Sequence, residues 1–416
     1  MKTGLTPASA LEAILDATPV LPPETIAVAS ALGRVVAEAV TSGRRLPPAD
    51  NSAMDGYAVR RADVAGAATE RPVELPIADT IAAGGDASRP LGPGEAARIL
   101  TGAPVPPGAD AVVRQEDTES DGERVRVLVP PSPRENIRDA GEDVQPGDRV
   151  IAAGAVIGPG HVGMLASLGR SVVAVHQRPR VALLSTGDEL VEPDRPVDGG
   201  RIVSSNSYSL AMQCRAVGAE PVYLGIARDT PEDVEQRFRA GLGADVLVSS
   251  AGVSVGDYDF FRDVLEKIGC SLVFWGVQIK PGYPLAFGRI EGGPLVFGLP
   301  GNPVSAMMTF EQFVRPALRK LTGHRKLFRP TVQARLAETL TKKPGRLHFV
   351  RVELERRDGV IVARAAGNQS SGALRSMTRA QGLLVFPSKD SELAEGAYAT
   401  VQVLDDEFFA SDEPGF

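Results

Sequence analysis

The sequence predicts a multidomain protein of mixed α/β and β class, with one α/β block set between β-rich segments. Three observations lead there. First, between Arg180 and Gly323 three apolar, β-branched runs each turn through glycine into a polar loop: 181–190 (VALLSTGDEL), 245–259 (DVLVSSAGVSVGDYD) and 294–305 (PLVFGLPGNPVS). Such runs suit strands buried on both faces. Second, helical patterns lie between or after them, as crossovers between parallel strands require. Third, outside the block the chain changes to short alternating runs rich in proline and glycine, which reads as all-β. At 416 residues the chain exceeds one compact core, and two to four domains are expected.

Taken in order, residues 7–18 read as an amphipathic helix with Ala10, Leu11, Ile14 and Leu15 on one stripe. Residues 24–41 read as a strand and then a helix, and Pro47-Pro48 marks a boundary. Residues 49–150 carry six to eight short strands. Strand character returns at 147–151, followed by a helix over 160–168 and a strand over 171–176. In the block, strands are expected at 181–185, 221–226, 245–249, 271–275 and 294–298. A helix over 206–216 stops at Gly218. Thr230-Pro231-Glu232-Asp233 supplies an N-cap, a proline at the first helical position and an acid. Another helix ends at Gly269, and Asn302-Pro303 starts the last long one, with Gly323 near its end. From Pro330 five or six alternating strands follow. The expected domains are therefore 1–45 plus 147–178, an inserted β module at 46–146, the α/β block at 179–327, a β domain at 328–406 and a tail at 407–416.

Composition narrows the function. A formal net charge of −7 argues against nucleic-acid or anionic-membrane binding, though a local basic pocket stays open. No apolar run reaches the roughly 18 residues of a membrane span, and the first residues lack a signal peptide's apolar stretch, so a cytoplasmic protein is expected. The two cysteines, Cys214 and Cys270, offer neither a disulfide framework nor zinc spacing. The four histidines are scattered, which disfavours histidine-based hydrolysis.

The chemistry is expected at the carboxyl ends of the parallel strands, where α/β proteins bind ligands. Ser185, Thr186, Gly187 and Glu189 follow the first strand and offer hydroxyls, backbone N–H groups and a carboxylate. Ser250, Gly252 and Ser254 belong to a small-residue loop able to turn N–H groups toward an oxyanion. Asp257 and Asp259 come next, and carboxylates beside an anion cradle call for a cation such as Mg²⁺ between them. Lys280, beside a Pro-Gly turn, can neutralise phosphate. Pro300, Gly301, Asn302 and Pro303 present a helix N-terminus. Ordinary turn and cap chemistry explains any one of these loops. Together they describe a pocket for an anion with a divalent cation. Asn51–Ala58 and Thr101–Pro104 read on physics alone as tight turns.

The strings NSAMDGYAV (51–59), TGAPVP (101–106), GED (141–143), STGDEL (185–190), SAGVSVGDYD (250–259), IKPG (279–282), LPGNPVS (299–305) and PGRLHFVRV (344–352), in this order, resemble the molybdopterin molybdenumtransferase family, of the MoeA type that includes the gephyrin E domain. The resemblance spans about residues 7–403. It implies a three-layer, MogA-like, molybdopterin-binding α/β domain, an elongated N-terminal region carrying the inserted module, and a barrel-like C-terminal domain. It implies Mg²⁺-dependent insertion of molybdate into adenylyl-molybdopterin with release of AMP, in a homodimer whose active site is shared between protomers. A molybdopterin adenylyltransferase and molybdoenzyme apo-proteins are implied partners. By this resemblance Asp259, Glu189, Lys280 and Asp55 are catalytic, with Asp259, Glu189 and Asp257 on the metal. Thr101, Arg138, Asp143, Asp229, Arg351 and Ser371 join the loop residues in binding substrate. The sequence departs from the family pattern at Gly276, Tyr283, Ala251, Ser204-Ser205 and Ser370-Ser371. A molybdopterin adenylyltransferase-like or pyrophosphatase enzyme and a gephyrin-like binding scaffold are the competing readings.

Overall fold

Seven strands form the central sheet of the α/β block, in the order Lys2–Leu5, Cys270–Val277, Ala286–Ile290, Leu295–Leu299, Val246–Ser250, Arg180–Thr186 and Glu220–Ala227. The computed structural model describes residues 2–252, 258–411 and 414, with the backbone alone for 258–260. Every neighbouring pair is parallel except the two made by Ala286–Ile290, which runs against both its neighbours. The expected five strands are all present. Lys2–Leu5 and Ala286–Ile290 are additions to the sheet the sequence suggested.

Both faces of this sheet are covered. Val181, Leu183, Val246, Val248 and Phe297 point to one side, with Leu210 and Phe310 from the covering helices. Ala182, Leu184 and Leu247 point to the other and pack with Phe238, Phe261 and Leu265. Alternate residues of one strand thus feed two cores, which is why the runs read as continuously apolar. Phe238 and Phe261 meet edge-on at 5.8 Å and tie helix Pro231–Ala240 to helix Tyr258–Lys267. The last helix runs Pro303–Thr309, passes through a π turn at Phe310–Val314 and continues as Arg315–Leu321. Pro316 has no N–H to return to the preceding turn, and the wider π turn accommodates it.

The N-terminal helix forms as expected, at Pro7–Ala17, with the Thr6 hydroxyl accepting from the Ser9 N–H. The helix expected in the second half of 24–41 does not form. Strand Pro23–Ala27 leads into a single 3₁₀ turn at Val28–Ser30, and Gly33 then takes φ +74°, a conformation that ends helical propagation. Beyond it Val35 and Val36 are buried, and Val36 bridges Val175.

The C-terminal strands Leu347–Arg357, Val360–Ala365, Thr331–Leu336, Tyr398–Val403 and Gly382–Phe386 pair in that order, and the last returns to the first, closing a five-stranded barrel. A short strand, Ile279–Lys280, pairs with Leu347 and His348 on its wall. In the inserted module six strands make a sheet: Ala111–Arg114, Gly56–Val59, Ala96–Ile99, Val73–Ile81, Arg124–Val127 and Thr118–Ser120. Contacts divide the chain into two compact units. One comprises Met1–Thr25, Gly33–Ala37 and Ala174–Phe416; the other comprises Ile26–Leu32 and Glu38–Val173. Among the described residues no helix is long and apolar enough to cross a membrane.

Candidate active site

Three adjacent strands, Leu295–Leu299, Val246–Ser250 and Arg180–Thr186, end in register, with Ser185 beside Ser250 and Ser250 beside Leu299. The loops they release surround a cavity of about 450 Å³. Thr186 and Glu189 enter it from the first loop, Ser250 and Gly252 from the second. Pro300, Gly301, Asn302 and Pro303 enter from the third. Leu190, Ile202, Val203 and Pro284 add apolar wall, and sequence alone had not singled these out. Among the described residues Glu189 is the one charged side chain lining this cavity. Gly252 sits at φ +76°, and a β-carbon there would lie 2.8 Å from the Phe261 ring. Its neighbour Ala251 also holds a left-handed φ, +79°.

Beneath the cavity four serine hydroxyls bond to one another. Ser185 meets Ser207 at 2.7 Å and Ser250 at 3.1 Å, and Ser204 meets Ser207 at 3.0 Å and Ser185 at 3.3 Å. All four residues are buried. The Thr186 hydroxyl, also buried, has no partner among the described residues. Asn206 donates from Nδ2 to the Gly301 carbonyl at 2.7 Å and ties the helix start at Asn206 to the third loop. Gly187 is buried behind Glu189. Asp229 donates its N–H to Asp188 at 3.2 Å, outside the cavity lining.

A second cavity, of about 580 Å³, adjoins the first through their shared Pro284. Its lining is cationic. Lys280 and Arg346 enter it together with Tyr283 and the loop carrying Ser370 and Ser371. The Arg346 guanidinium lies 4.2 Å over the Tyr283 ring, a cation–π contact. The Ser371 carbonyl accepts from the Val304 N–H, which joins this loop to the last helix. Arg351 braces the loop from inside. It is fully buried, and its Nη2 donates to the Asn368 and Ser370 carbonyls at 3.0 and 3.2 Å. Its Nε and Nη1 have no partner among the described residues, and burial lowers its pKa to about 10. Neither ring nitrogen of buried His348 has a partner among the described residues. Burial, with the charges of Lys280, Arg351 and Lys342, pushes His348 down to about 4. His348 and Arg346 lie in the string 344–352, but nothing in the sequence marked them as neighbours of Lys280.

In the inserted module Asp55 and Thr101 come together. The Thr101 N–H and hydroxyl donate to Asp55 Oδ1 at 2.6 and 2.8 Å and hold its carboxyl below the usual range. Arg138 pairs with Asn51 across a short ladder, and the Asn51 Oδ1 is buried without a partner. Asp143 is exposed and bonds through its N–H to the Leu46 carbonyl. Ser254 and Asp257, and the side chain of Asp259, lie outside the described residues. Among the described residues no three His, Cys, Asp or Glu side chains gather as a metal site. Both cysteines are buried, which pushes their thiols up to about 12 and removes them as nucleophiles.

Three family profiles match the chain in succession. They are the MoeA N-terminal region (domain I and II) at residues 5–169, a "probable molybdopterin binding domain" at 182–320, and the MoeA C-terminal region (domain IV) at 333–404. The chain belongs to the MoeA family. Molybdopterin molybdenumtransferase of Nostoc sp. is 38% identical over 378 residues, 90% of this chain and 87% of the relative. Molybdopterin molybdenumtransferase 2 of Mycobacterium tuberculosis is 39% identical over 388 residues, 91% of this chain and 94% of the relative. The crystal structure of a molybdopterin biosynthesis MoeA protein from Pyrococcus horikoshii superposes with a TM-score of 0.83 at 32% identity, covering 96% of this chain and 99% of that one. The order of the MoeA regions along the chain is thus the order in which the inserted module, the α/β block and the barrel follow one another.

Proposed function

We propose that this chain is a molybdopterin molybdenumtransferase that acts in the cytoplasm on adenylyl-molybdopterin and molybdate and releases AMP. One observation carries the reading: two adjoining cavities within one unit, one walled by apolar and hydroxyl groups, the other cationic. A substrate that joins a neutral pterin ring to anionic groups needs both.

In this reading Lys280 and Arg346 draw the oxyanions into the second cavity, and Ser371 orients them. Arg351 acts from behind by holding the 368–371 loop. The buried unpartnered N–H groups of Arg351 fit an anionic neighbour, since a buried donor without an acceptor is costly. Thr186, Ser250 and Gly252 shape the ring's end of the site, with Ser185 and Gly187 supporting them. Pro300, Gly301, Asn302 and Pro303 form the wall between. The residues also fit Mg²⁺. Glu189 brings to the first cavity a carboxylate with no ion pair among the described residues, and Mg²⁺ commonly takes one or two carboxylates, waters and substrate phosphate. Glu189, Asp259 and Asp257 would hold it. When bound it offsets the negative charge that builds on the departing phosphate. No residue is assigned as a covalent nucleophile, so catalysis rests on positioning and charge. Asp229 supports the first loop through Asp188.

We further propose that the chain is a homodimer, in which Asp55, Thr101, Arg138 and Asp143 of a second copy complete the site. Adenylyl-molybdopterin is the test substrate. AMP release that depends on both molybdate and Mg²⁺ is expected. Adenylylation of molybdopterin by ATP instead would assign the chain to the adenylyltransferase reaction and overturn this one.

A further inference from the structure

The Arg346 backbone is tied on both sides. The Gly345 N–H donates to the Ser388 carbonyl at 2.8 Å, and the Leu347 N–H donates to the Gln278 carbonyl at 3.1 Å. Its side chain is another matter. It is exposed and reaches the second cavity, yet among the described residues it has no ion pair and no hydrogen bond. Its one contact is the Tyr283 ring, whose centre lies 4.2 Å from the guanidinium carbon. An arginine side chain has many rotamers to lose, so the surface beneath it decides where its N–H fork is found.

Tyr283 is itself seated. Its carbonyl accepts the Val277 and Leu285 N–H groups, each at 2.9 Å. The hydroxyl end of its ring lies against bare backbone. A β-carbon at Gly276 would come within 3.2 Å of the ring's Cζ and 3.3 Å of the hydroxyl oxygen, and one at Gly4 within 3.7 Å of that oxygen. Gly276 holds φ +84° and Gly4 φ +61°, which glycine adopts without steric cost. The Tyr283 hydroxyl makes no hydrogen bond among the described residues, so the seat fixes the ring by its shape.

We propose that Tyr283 is a positioning residue: seated against Gly276 and Gly4, it holds the Arg346 guanidinium over its ring so that the N–H fork meets two oxygens of a tetrahedral oxyanion entering beside Lys280. This rests on the transferase reading and deepens it. Lys280 supplies a compact charge that one oxygen satisfies. A guanidinium held in place adds a planar pair of donors that matches paired oxygens. Tyr283 acts on the anion through Arg346, and Gly276 acts through Tyr283.

Calorimetric titration of the full chain with molybdate, and separately with inorganic phosphate, reads this device without turnover. Arg346→Ala should weaken at least one of the two oxyanions about tenfold or more, the worth of a hydrogen bond to a charged group. Arg346→Lys keeps the charge and should still lose most of that affinity. Tyr283→Leu leaves the arginine intact and should cost about two- to fivefold, the worth of an exposed cation–π contact. Tyr283→Phe keeps the ring and should restore the affinity. In an Arg346→Ala background Tyr283→Leu should cost nothing more, because the ring then holds nothing. Gly276→Ala should weaken binding in the unaltered chain but not in Tyr283→Leu, where no ring is left to push.

Full affinity in Tyr283→Leu would overturn the proposal, since Arg346 would then need no platform. An equal loss in Tyr283→Phe would overturn it by showing that the hydroxyl meets the anion itself. Additive losses in the double variant would overturn it by showing that ring and guanidinium act apart. No uptake of either oxyanion by the unaltered chain would do so with no variant at all. AMP release measured on the same chains tells the oxyanion's source. A higher KM for molybdate alone in Tyr283→Leu assigns the fork to free molybdate, and a higher KM for adenylyl-molybdopterin alone assigns it to the substrate's phosphate. Oxyanion binding that responds to Tyr283 without any AMP release sinks the transferase reading alone. Turnover with binding indifferent to Tyr283 sinks this inference alone.

Discussion

The two cavities of the α/β unit share Pro284 and little else. The first is floored by four serine hydroxyls bonded to one another and carries a single described charge, Glu189. The second gathers Lys280 and Arg346, with Arg351 and His348 buried close behind the same loop and strand. The difference shows how one binding region can treat two ends of a substrate separately. In the proposed reading a neutral ring would meet hydroxyl and apolar groups in the first cavity. A charged end would be met by the exposed cations Lys280 and Arg346, with the buried guanidinium of Arg351 behind them.

The largest break in this contrast should come from Lys280→Ala. It removes charge from the second cavity alone, and AMP release should fall about a hundredfold, the scale for losing one preorganised electrostatic contact. Pterin binding should stay as it was. Equal losses in both would mean the two cavities do not act separately.

An effect on stability rather than on turnover should come from His348. Its pKa is pushed down to about 4 from 6.5 by burial and by the surrounding cations. Above pH 6.5 it is neutral in folded and unfolded chains alike and contributes nothing. Below that the unfolded chain takes up the proton and the folded one does not, so stability falls as pH drops. The loss should reach about 3 kcal/mol near pH 4. Urea unfolding at pH 7.5, 5.5 and 4.5 should show His348→Leu losing less with acid than the unaltered chain. Parallel losses would remove His348 from the cationic cluster.

The smallest effect belongs to the first cavity's rim. Ala251 holds φ +79°, which glycine adopts without the cost of a β-carbon. Ala251→Gly should raise stability by about 1 kcal/mol or less, because glycine's greater freedom when unfolded offsets part of the gain. A fall in thermal midpoint would show that the Ala251 methyl, close to Gly301, packs more than it strains.

Much of the architecture was legible because its causes are local. A strand buried on two faces reads as an apolar run, and Thr230-Pro231 announces a helix start by cap chemistry alone. Lys2–Leu5 was not legible, since four residues including a glycine carry no periodicity. Ala286–Ile290 was missed because its reversal depends on its neighbours and not on its own residues. In the site, the loops and their glycines were readable one at a time. Their meeting was not. Ser204 looked like part of a departure from a family pattern and Ser207 was not singled out, and the register of Ser185 with Ser250 is what gathers both into one cluster of hydroxyls. Arg346 was equally hidden, because its stacking on Tyr283 joins residues more than sixty positions apart.

The pairing of Ile279–Lys280 with Leu347–His348 has a consequence for dissecting this protein. The lysine that serves the α/β block is stitched to the barrel's wall. A truncation that removes the barrel would therefore take away Arg346 and Ser371, and it would also leave Lys280 on a loose thread. Half a chain should retain the pterin pocket and lose its grip on oxyanions altogether.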